Sequence, residues 1–323
     1  DIKGGLGRFI ARINQSKIPV VALDTPSGLD STTGEIRGAV LKAQCTLTFG
    51  FAKTGQTIRH GPRSCGRLIR LDIGFPRELS AKIARNYFLV RKNDVAETLP
   101  PRRALGNKTD HGHVKIWAGS PGFWGAGVLC ARAAYRAGAG YVSWEKPPGD
   151  LSALEFLPEV LSQNFQKPED KYVYVVGPGF GVNAATADHI RTLYKNKLRR
   201  VLLDADALTV VAKHKLAVRD SWIMTPHTGE LIRLLGGTAA EMIEKDRFGH
   251  LQKALKRYSC TIVLKGFHSL VGRDEKIFVV PTGNAALSKA GSGDVLSGMI
   301  GGLWAQNLDG VPAAVTGAYL HGA

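Results

Sequence analysis

The chain has 323 residues, of which 44% are hydrophobic, and its 43 lysines and arginines outnumber 27 aspartates and glutamates, a formal net charge of +16. This length accommodates about two domains, and the composition is that of a globular protein with a hydrophobic core. No apolar run approaches the roughly 18 residues of a membrane-spanning helix, so no membrane partner is expected. The basic residues are scattered and not interleaved with aromatic ones, which favours small polyanionic ligands over nucleic acid.

The four cysteines give no sign of a metal site or a redox motif. They show no C-x-x-C spacing and have no histidine partners at metal-ligand spacing; they are Cys45, Cys65, Cys130 and Cys260. Free thiols in a reducing cytosol are therefore expected, which implies a cytoplasmic location.

The first 92 residues alternate short apolar runs with intervals of helix length. Strands are predicted at 18–23, 45–51 and 67–73. Short buried strands spaced in this way predict a parallel α/β sheet. Asp24 directly follows the first of these strands, and Ser27 comes three residues later. The polar, proline-containing stretch 93–108 is predicted to be an interdomain linker.

After residue 108 the alternation of strands and helices restarts. The small residues at 125–137 predict a helix that ends at Gly138. Each predicted strand of this part runs into a motif of Gly, Asp or His. Because ligands of open α/β sheets bind beyond the carboxyl ends of the strands, we expect a ligand site at that edge. The strands are predicted at 113–118, 172–176, 201–203, 222–224 and 262–264.

The strongest chemical motif is Ala290-Gly291-Ser292-Gly293-Asp294, which opens the predicted helix 295–306. Small residues before a helix let backbone N–H groups converge on an anion, and the helix dipole favours negative charge there. Asp294 is then either a helix cap or a catalytic base. The other loops expected at the same edge favour the base.

The remaining loops have structural as well as functional interpretations. The stretch 177–181 does not match G-x-G-x-x-G, so it is either a tight turn or a place of close ligand approach. Asp204 and Asp206 suit structural hydrogen bonds as well as a ligand or metal role. His227 either caps the following helix or contacts a ligand, and Lys265 stands either in an ordinary turn or at a nucleotide.

In their order and spacing, the motifs from residue 107 to residue 323 resemble those of the ADP- or ATP-dependent NAD(P)H-hydrate dehydratases, which have a ribokinase-like fold. Residues 1 to about 85 resemble the second half of an NAD(P)H-hydrate epimerase domain, which precedes the dehydratase in many bacteria. The epimerase-like motifs are the stretches 24–30, 46–50 and 53–55. The dehydratase-like motifs are His111-Gly112-His113, Gly119-Ser120, Gly125-Ala126, the stretch 177–181, Asp204-Ala205-Asp206, the stretch 225–230, Lys265-Gly266, Gly283-Asn284 and the stretch 291–294.

The resemblance implies an α/β protein with a ribokinase-like open sheet flanked by helices at 109–323, preceded by a partial Rossmann-like α/β domain at 1–92. The first half of the epimerase domain would lie before Asp1, and the last strand and helix of the dehydratase would follow Ala323. The chain is therefore expected to be a piece of a longer protein whose epimerase half is inactive as given.

The implied activity is the nucleotide-dependent dehydration of the S-epimer of NAD(P)H hydrate to NAD(P)H with release of phosphate, a carbon–oxygen lyase reaction of metabolite repair. ADP is the expected nucleotide, with ATP as the alternative, and Mg²⁺ is expected at its phosphates. K⁺ is implied for the epimerase-like half, and the protein is expected to be a homo-oligomer.

The resemblance also implies roles for individual residues. Asp294 would be catalytic, Asp24 would touch the epimerase substrate, and Ser27 would bind K⁺. The family's usual threonine is Ser269 here, a methionine is replaced by Leu287, and Lys289 adds a charge beside the anion loop. The hydrated nicotinamide would contact Ala126, Gly179, Gly181, His227 and Asp294. The nucleotide would contact Lys265, Gly266, Phe267, His268, Ser269, Gly291, Ser292 and Gly293.

Two other functions fit part of the pattern. A kinase of a vitamin precursor or other small hydroxylated metabolite, on the same fold, would share the 291–294 loop but would not be expected to carry the 225–230 motif or an epimerase-like partner. A catalytically inactive nucleotide-binding module is disfavoured by the presence of Asp294 and Lys265.

Overall fold

The computed structural model describes residues 1–76, 78, 86–102, 104–145, 158–162, 167–237 and 239–323. These residues form two compact units. The first comprises 1–89 with 244–246, and the second comprises 90–243 with 247–323. The predicted domain bounds, 1–92 and 109–323, stay predictions. The predicted linker contains most of a helix, α4 (Lys92–Thr98), whose Val95 side chain is buried.

The first unit contains a parallel sheet of three strands in the order β1 (Val21–Leu23), β2 (Cys45–Phe49) and β3 (Arg67–Leu71). This confirms the three strands predicted there, although the first begins three residues later than expected. Its other described elements are α1 (Gly4–Gln15), α2 (Thr54–Thr57), α3 (Gly61–Cys65) and β4 (Tyr87–Leu89).

Nine described strands of the second unit lie in one sheet in the order β13-β12-β11-β10-β9-β8-β5-β6-β7. The seven strands from β11 to β7 pair in parallel, and β12 and β13 add an antiparallel end. The strands are β5 (His113–Trp117), β6 (Tyr141–Glu145), β7 (Leu161–Ser162), β8 (Val173–Val176), β9 (Val201–Leu203), β10 (Ile223–Met224), β11 (Thr261–Leu264), β12 (Ser269–Arg273) and β13 (Lys276–Val280).

Every residue of β8 and β11 is buried. This burial is expected where helices cover both faces of a parallel sheet. None of the helices in the described ranges is both long and apolar enough to cross a membrane. The remaining helices are α5 (Trp124–Arg136), α6 (Ala184–Lys195), α7 (Asp206–His214), α8 (Thr228–Leu235), α9 (Ala240–Lys245), α10 (Arg247–Tyr258), α11 (Ser292–Ala305) and α12 (Gly310–Gly322).

The packing of α11 against α5 positions the predicted anion loop. A Cβ atom on Gly298 would lie 2.1 Å from the carbonyl oxygen of Cys130, and one on Gly302 would lie 2.3 Å from that of Ala134. Glycine at both positions therefore allows the two backbones to touch. The contact fixes the start of α11, and with it Asp294, at the carboxyl edge of the sheet.

We predict that Gly298→Ala lowers the free energy of unfolding by about 1–3 kcal/mol, the usual cost of overpacking a core. Chemical denaturation of the variant and the parent chain measures this difference. The matched control is Gly125→Ala in α5, where an added Cβ would meet no atom within 4 Å. The control should be neutral or stabilising, because alanine is the better helix former. Equal stability of the two variants would contradict the close backbone contact.

Candidate active site

Loops that follow three adjacent strands meet at the ammonium group of Lys265. The Lys265 Nζ atom lies 2.7 Å from Oδ1 of Asp204, which follows β9, and 3.6 Å from Oε2 of Glu230, which comes after β10. Lys265 itself follows β11, and its backbone N–H donates to the carbonyl of Pro226 over 2.8 Å. The strand ends thus gather three charged side chains at one point, as the topology of an open sheet favours.

Asp204 connects this cluster to α11. Its side chain is only 1% exposed, and its second oxygen, Oδ2, accepts a 2.7 Å hydrogen bond from the Ser297 hydroxyl in α11. A Cβ atom placed on Gly293 would lie 3.5 Å from Lys265 Nζ and 3.8 Å from Asp204 Oδ2. The buried ion pair therefore lies directly beside the first turn of α11.

Asp294 lies in that first turn and is half-buried. Burial, together with the negative charges of Asp204 and Asp206, raises the pKa of the Asp294 carboxyl to about 6 against the opposing effect of Lys265. A carboxylate with a pKa this close to neutrality can accept a proton and later release it. The geometry therefore suits a base as well as a helix cap.

Burial and neighbouring charges also shift the pKa values of Glu230 and Lys265. Burial, together with the Asp204 carboxylate, raises the pKa of Glu230 to about 7, although Lys265 acts against it. Burial alone would lower the pKa of Lys265, but the carboxylates of Asp204 and Glu230 outweigh it and raise that pKa. Lys265 therefore stays protonated, whereas Glu230 changes its charge near neutral pH.

His227 is the N-terminal cap of α8. Its Nδ1 atom accepts a 2.9 Å hydrogen bond from Gly229 N–H, and its own backbone N–H donates to Glu230 Oε2 over 2.7 Å. Burial, with the positive charges of Lys265 and Arg233, lowers the pKa of the imidazole. The capping role is thus present, and a contact of His227 with substrate stays a prediction.

The glycine-rich stretch 177–181 is held against α5. Its Gly179, at φ 58°, has no room for a side chain, since a Cβ atom there would lie 2.9 Å from the Cβ atom of Ala126. The Ser120 hydroxyl donates to the Gly179 carbonyl over 2.7 Å, and Gly181 N–H donates to Asp206 Oδ2 over 2.8 Å. Ala126 and the loop are therefore neighbours, and Asp206 has a structural role in fixing the loop.

A buried arginine that the sequence did not single out shapes the loop from Lys265 to Ser269. Arg247, at the start of α10, donates to the carbonyls of Leu264, Lys265, Phe267 and His268 over 3.2, 3.3, 2.7 and 3.2 Å. A Cβ atom on Gly266 would lie 2.7 Å from the Arg247 guanidinium. Such a fork of donors fixes a backbone whatever its side chains are.

This loop presents an aromatic surface. The Phe267 side chain is 50% exposed, and its ring stacks on that of His268 with centroids 4.4 Å apart and ring planes 18° from parallel. The Ser269 hydroxyl donates to the Gly266 carbonyl over 3.3 Å. The five residues predicted to contact a nucleotide thus form one ordered loop beside the Lys265 ammonium group.

The anion loop receives support from the end of the chain. Gly291 precedes α11 at φ 87°, and the Ser292 hydroxyl lies 3.2 Å from Nε2 of His321 in α12. Burial lowers the pKa of the His321 imidazole. The Gly283 N–H donates to the Gly322 carbonyl over 2.8 Å. No motif in the sequence pointed to His321, because its contact with Ser292 depends on how α11 and α12 pack.

The described residues contain no cluster of three or more His, Cys, Asp or Glu side chains that could hold a metal ion. Mg²⁺ commonly binds through one or two carboxylates together with phosphate oxygens and water. The residues therefore fit a magnesium ion that arrives with nucleotide phosphates next to the carboxylates of Asp204 and Asp294, rather than one held by the protein alone.

In the first unit, Asp24 follows β1 at φ 60°. Its carboxylate accepts hydrogen bonds from Lys53 Nζ and, over 2.9 Å, from Phe49 N–H, and these two bonds lower its pKa. The Gln56 side-chain amide donates a 2.6 Å hydrogen bond to the Asp24 carbonyl. Ser27 is exposed, and its carbonyl accepts a 2.9 Å hydrogen bond from Leu41 N–H. The roles of Asp24 with substrate and of Ser27 with K⁺ stay predictions.

Two family models match separate parts of the chain. A family model described as NAD(P)H-hydrate dehydratase matches residues 114–323, and one described as YjeF-related protein N-terminus matches residues 1–55. The bifunctional NAD(P)H-hydrate repair enzyme of Moorella thermoacetica is 37% identical over 97% of this chain and 63% of its own length. The enzyme of the same name from Coxiella burnetii is 34% identical over 99% and 67%. The chain thus spans about two thirds of the length of these relatives.

Solved structures confirm the ribokinase-like fold. The ADP/ATP-dependent NAD(P)H-hydrate dehydratase of Bacillus subtilis, co-crystallized with ATP and Mg²⁺, is 28% identical with a TM-score of 0.66, covering 74% of this chain and 88% of that one. A ribokinase-like superfamily protein of Enterococcus faecalis is 21% identical, also with a TM-score of 0.66, covering 74% and 87%.

We predict that Asp204→Asn lowers the free energy of unfolding by about 3 kcal/mol or more, because it leaves the Lys265 charge without its closest partner in a buried site. Chemical denaturation measures the loss. Asp188→Asn is the control: it breaks an ion pair of similar length, 2.8 Å to Arg191, on the exposed face of α6. That pair should contribute about 1 kcal/mol or less. If both variants lose the same small amount, the Lys265–Asp204 pair does not organise the site.

Proposed function

Because the chain belongs to the NAD(P)H-hydrate dehydratase family, we propose that its second unit dehydrates the S-epimer of NAD(P)H hydrate to NAD(P)H with release of phosphate. The observation that carries the proposal is the position of Asp294. This half-buried carboxylate, with a pKa of about 6, lies in the first turn of α11 next to the Lys265–Asp204 ion pair.

The start of α11 receives the terminal phosphoryl group of the nucleotide. The first N–H groups of a helix carry a partial positive charge, and α11 is 14 residues long. The Lys265 ammonium group lies beside the same turn and adds a full positive charge. These groups stabilise the negative charge that spreads over the phosphoryl oxygens during transfer.

Asp294 accepts the proton of the substrate hydroxyl as that oxygen bonds to the terminal phosphorus. The bond between this phosphorus and the bridging oxygen of the nucleotide breaks at the same time, so ADP would leave as AMP. The hydroxyl, a poor leaving group, has then become a phosphate ester. Its proton is on Asp294, whose raised pKa makes it a more effective acceptor near neutral pH than an ordinary carboxylate.

Loss of phosphate completes the reaction. The C–O bond breaks with its electron pair on the departing phosphate, while the lone pair of the ring nitrogen forms a C=N bond. Loss of a proton from the adjacent ring carbon then restores the C=C bond of the dihydronicotinamide. Ala126 and the loop 177–181 would bind the ring, because the loop packs against Ala126 and is fixed by Asp206, whose charge also acts on Asp294.

The loop 265–269 holds the nucleotide. Arg247 fixes the backbone of this loop, and Phe267 directly follows the Lys265–Gly266 turn. The exposed Phe267 ring offers an aromatic face on which a base can stack. Mg²⁺ bound to the phosphates would neutralise part of their charge. The chemistry proposed here uses no K⁺; in the front unit, the accessible hydroxyl of Ser27 would be a ligand for that ion.

The first unit carries an epimerase-like site centred on Asp24. Its carboxylate is paired with Lys53 and lies at the carboxyl edge of the small parallel sheet. Ligands of open α/β sheets bind at that edge. We propose that this pair binds the hydrated nicotinamide in the whole protein. We also propose that the protein acts in the cytoplasm, in keeping with its free cysteines. We propose further that it is a homo-oligomer.

Asp294→Asn should lower the turnover number roughly 100-fold or more, the usual effect of removing a general base. Recovery of the absorbance of the reduced ring, together with release of inorganic phosphate, measures the reaction and distinguishes it from a kinase, which leaves a stable phosphorylated product. Asp94→Asn is the matched control, because Asp94 also lies in the first turn of a helix, where its carboxylate bonds to the backbone and side chain of Arg91.

The pH profile tests the same assignment. Asp294 must be ionised to act as a base, so the rate of the parent chain should fall about tenfold per pH unit below pH 6 or so. The variant should lack this slope. A near-normal rate in Asp294→Asn would reduce Asp294 to a cap, and a slope that persists in the variant would assign the titration to Glu230.

ADP should be a better phosphoryl donor than ATP at equal Mg²⁺ concentration. The bifunctional arrangement, with an epimerase-like unit ahead of the dehydratase, is the one in which the resemblance implies ADP. Initial rates with each nucleotide over a concentration series, with AMP as the negative control, give the two values of kcat/KM. A clear preference for ATP would reverse this assignment without affecting the role of Asp294.

A further inference from the structure

A cleft of about 670 Å³ lies at the amino-terminal edge of the large sheet, opposite the edge that carries Asp294. Its walls come from residues that precede or open β9, β10 and β11, from the end of β12, and from the turn between α11 and α12. Pockets of about 300–1,000 Å³ commonly bind small organic ligands. The cleft plays no part in the chemistry described above.

Three arginines, Arg199, Arg200 and Arg273, line this cleft, together with one acidic residue, Asp309. Arg199 and Arg273 use their Nε atoms to contact Asp170 over 2.6 Å and Asp274 over 3.2 Å, and Arg273 also donates from Nη1 to the Asp220 carbonyl. A guanidinium group has five N–H donors, so these contacts leave other donors of each group for a ligand. The cleft therefore presents a basic wall.

Arg200 is the arginine whose charge is least compensated. Its described hydrogen bond goes to a neutral group, the carbonyl of Lys171, over 2.8 Å. Burial and the nearby charge of Arg199 lower its pKa although Asp170 acts in the opposite direction. A bound anion would stabilise this guanidinium group in a way that its present neighbours do not.

The start of α12 faces the same cleft. Gly310 and Val311 form its first positions, and the capping residue Asp309 makes no side-chain hydrogen bond to the helix. The first N–H groups of a helix favour a negative charge. The basic wall and the helix start thus provide two independent features that attract an anion to one place.

The rest of the lining combines the polar residues Ser221, Thr261 and Asn307 with three apolar residues. Trp304 and Leu308 lie at the end of α11 and in the turn after it, and Pro312 lies in the first turn of α12. A free inorganic phosphate would leave this wall and most of the volume unused. We propose that the cleft binds a small organic phosphate, with its phosphate group at the arginines and the start of α12 and its apolar body against Trp304, Leu308 and Pro312.

This site is separate from the catalytic one. Helix α11 carries Asp294 in its first turn and the cleft residue Trp304 in its last, and ten residues at about 1.5 Å each separate them by roughly 15 Å along the helix. The cleft and the catalytic site therefore lie at opposite edges of the sheet.

Arginine-selective labelling of the 323-residue chain with a dicarbonyl reagent, read at each arginine by peptide mass spectrometry, tests the proposal without a substitution. Phenyl phosphate, which joins a phosphate to an apolar ring, should reduce labelling of Arg200 and Arg273 about fivefold or more. It should do so at a lower concentration than inorganic phosphate. Arg191 on α6 lies outside the cleft and should label equally with and without the probe.

Calorimetry of variants provides the second measurement. The double variant Arg200→Gln, Arg273→Gln should bind phenyl phosphate at least tenfold more weakly than the parent chain, and Arg191→Gln should bind it equally well. Equal protection of all three arginines, or protection of none, would overturn the proposal. Inorganic phosphate protecting as well as phenyl phosphate would also overturn it, since the apolar wall would then contribute nothing.

Discussion

The buried ion pair between Lys265 and Asp204 is the interaction on which the candidate active site depends. A charge with 1% exposure is stable only with a partner, and here each partner belongs to a different strand end. Asp204 also accepts a hydrogen bond from the Ser297 hydroxyl, so the ion pair connects β9, β11 and α11 at one point. The same negative charge raises the pKa of Asp294 and of Glu230. One carboxylate therefore both assembles the site and adjusts the acidity of the groups within it.

Much of this fold followed from local sequence patterns. Five parallel strands of the large sheet, β5 and β8 to β11, could be predicted because strands such as β8 are buried on both faces and form continuous apolar runs. The parallel strands β6 and β7 were not predicted. The small residues of α11 indicated a tightly packed helix. The antiparallel strands β12 and β13 were not predicted. They are separated by only two residues, Asp274 and Glu275, and the first residue of β12, Ser269, is also the last residue of the predicted nucleotide loop.

The candidate site was predictable to the extent that its residues follow strands or open helices. Asp294, Lys265 and Asp204 satisfy that rule, because the carboxyl ends of parallel strands share an edge. Arg247 and His321 do not: each lies within or at the end of a helix whose pattern is ordinary, and each acquires its role through packing between elements distant in the sequence. Long-range contacts of this kind leave no local signal in a single sequence.

Arg247 also has a consequence for how this protein can diverge. It recognises the loop 265–269 through carbonyl oxygens, which every amino acid possesses, so the shape of the loop does not depend on the identity of most of its side chains. The loop can therefore exchange residues, as the serine at position 269 illustrates, without losing its path. The evolutionary constraint on the shape of the loop therefore falls on a single buried residue outside the loop.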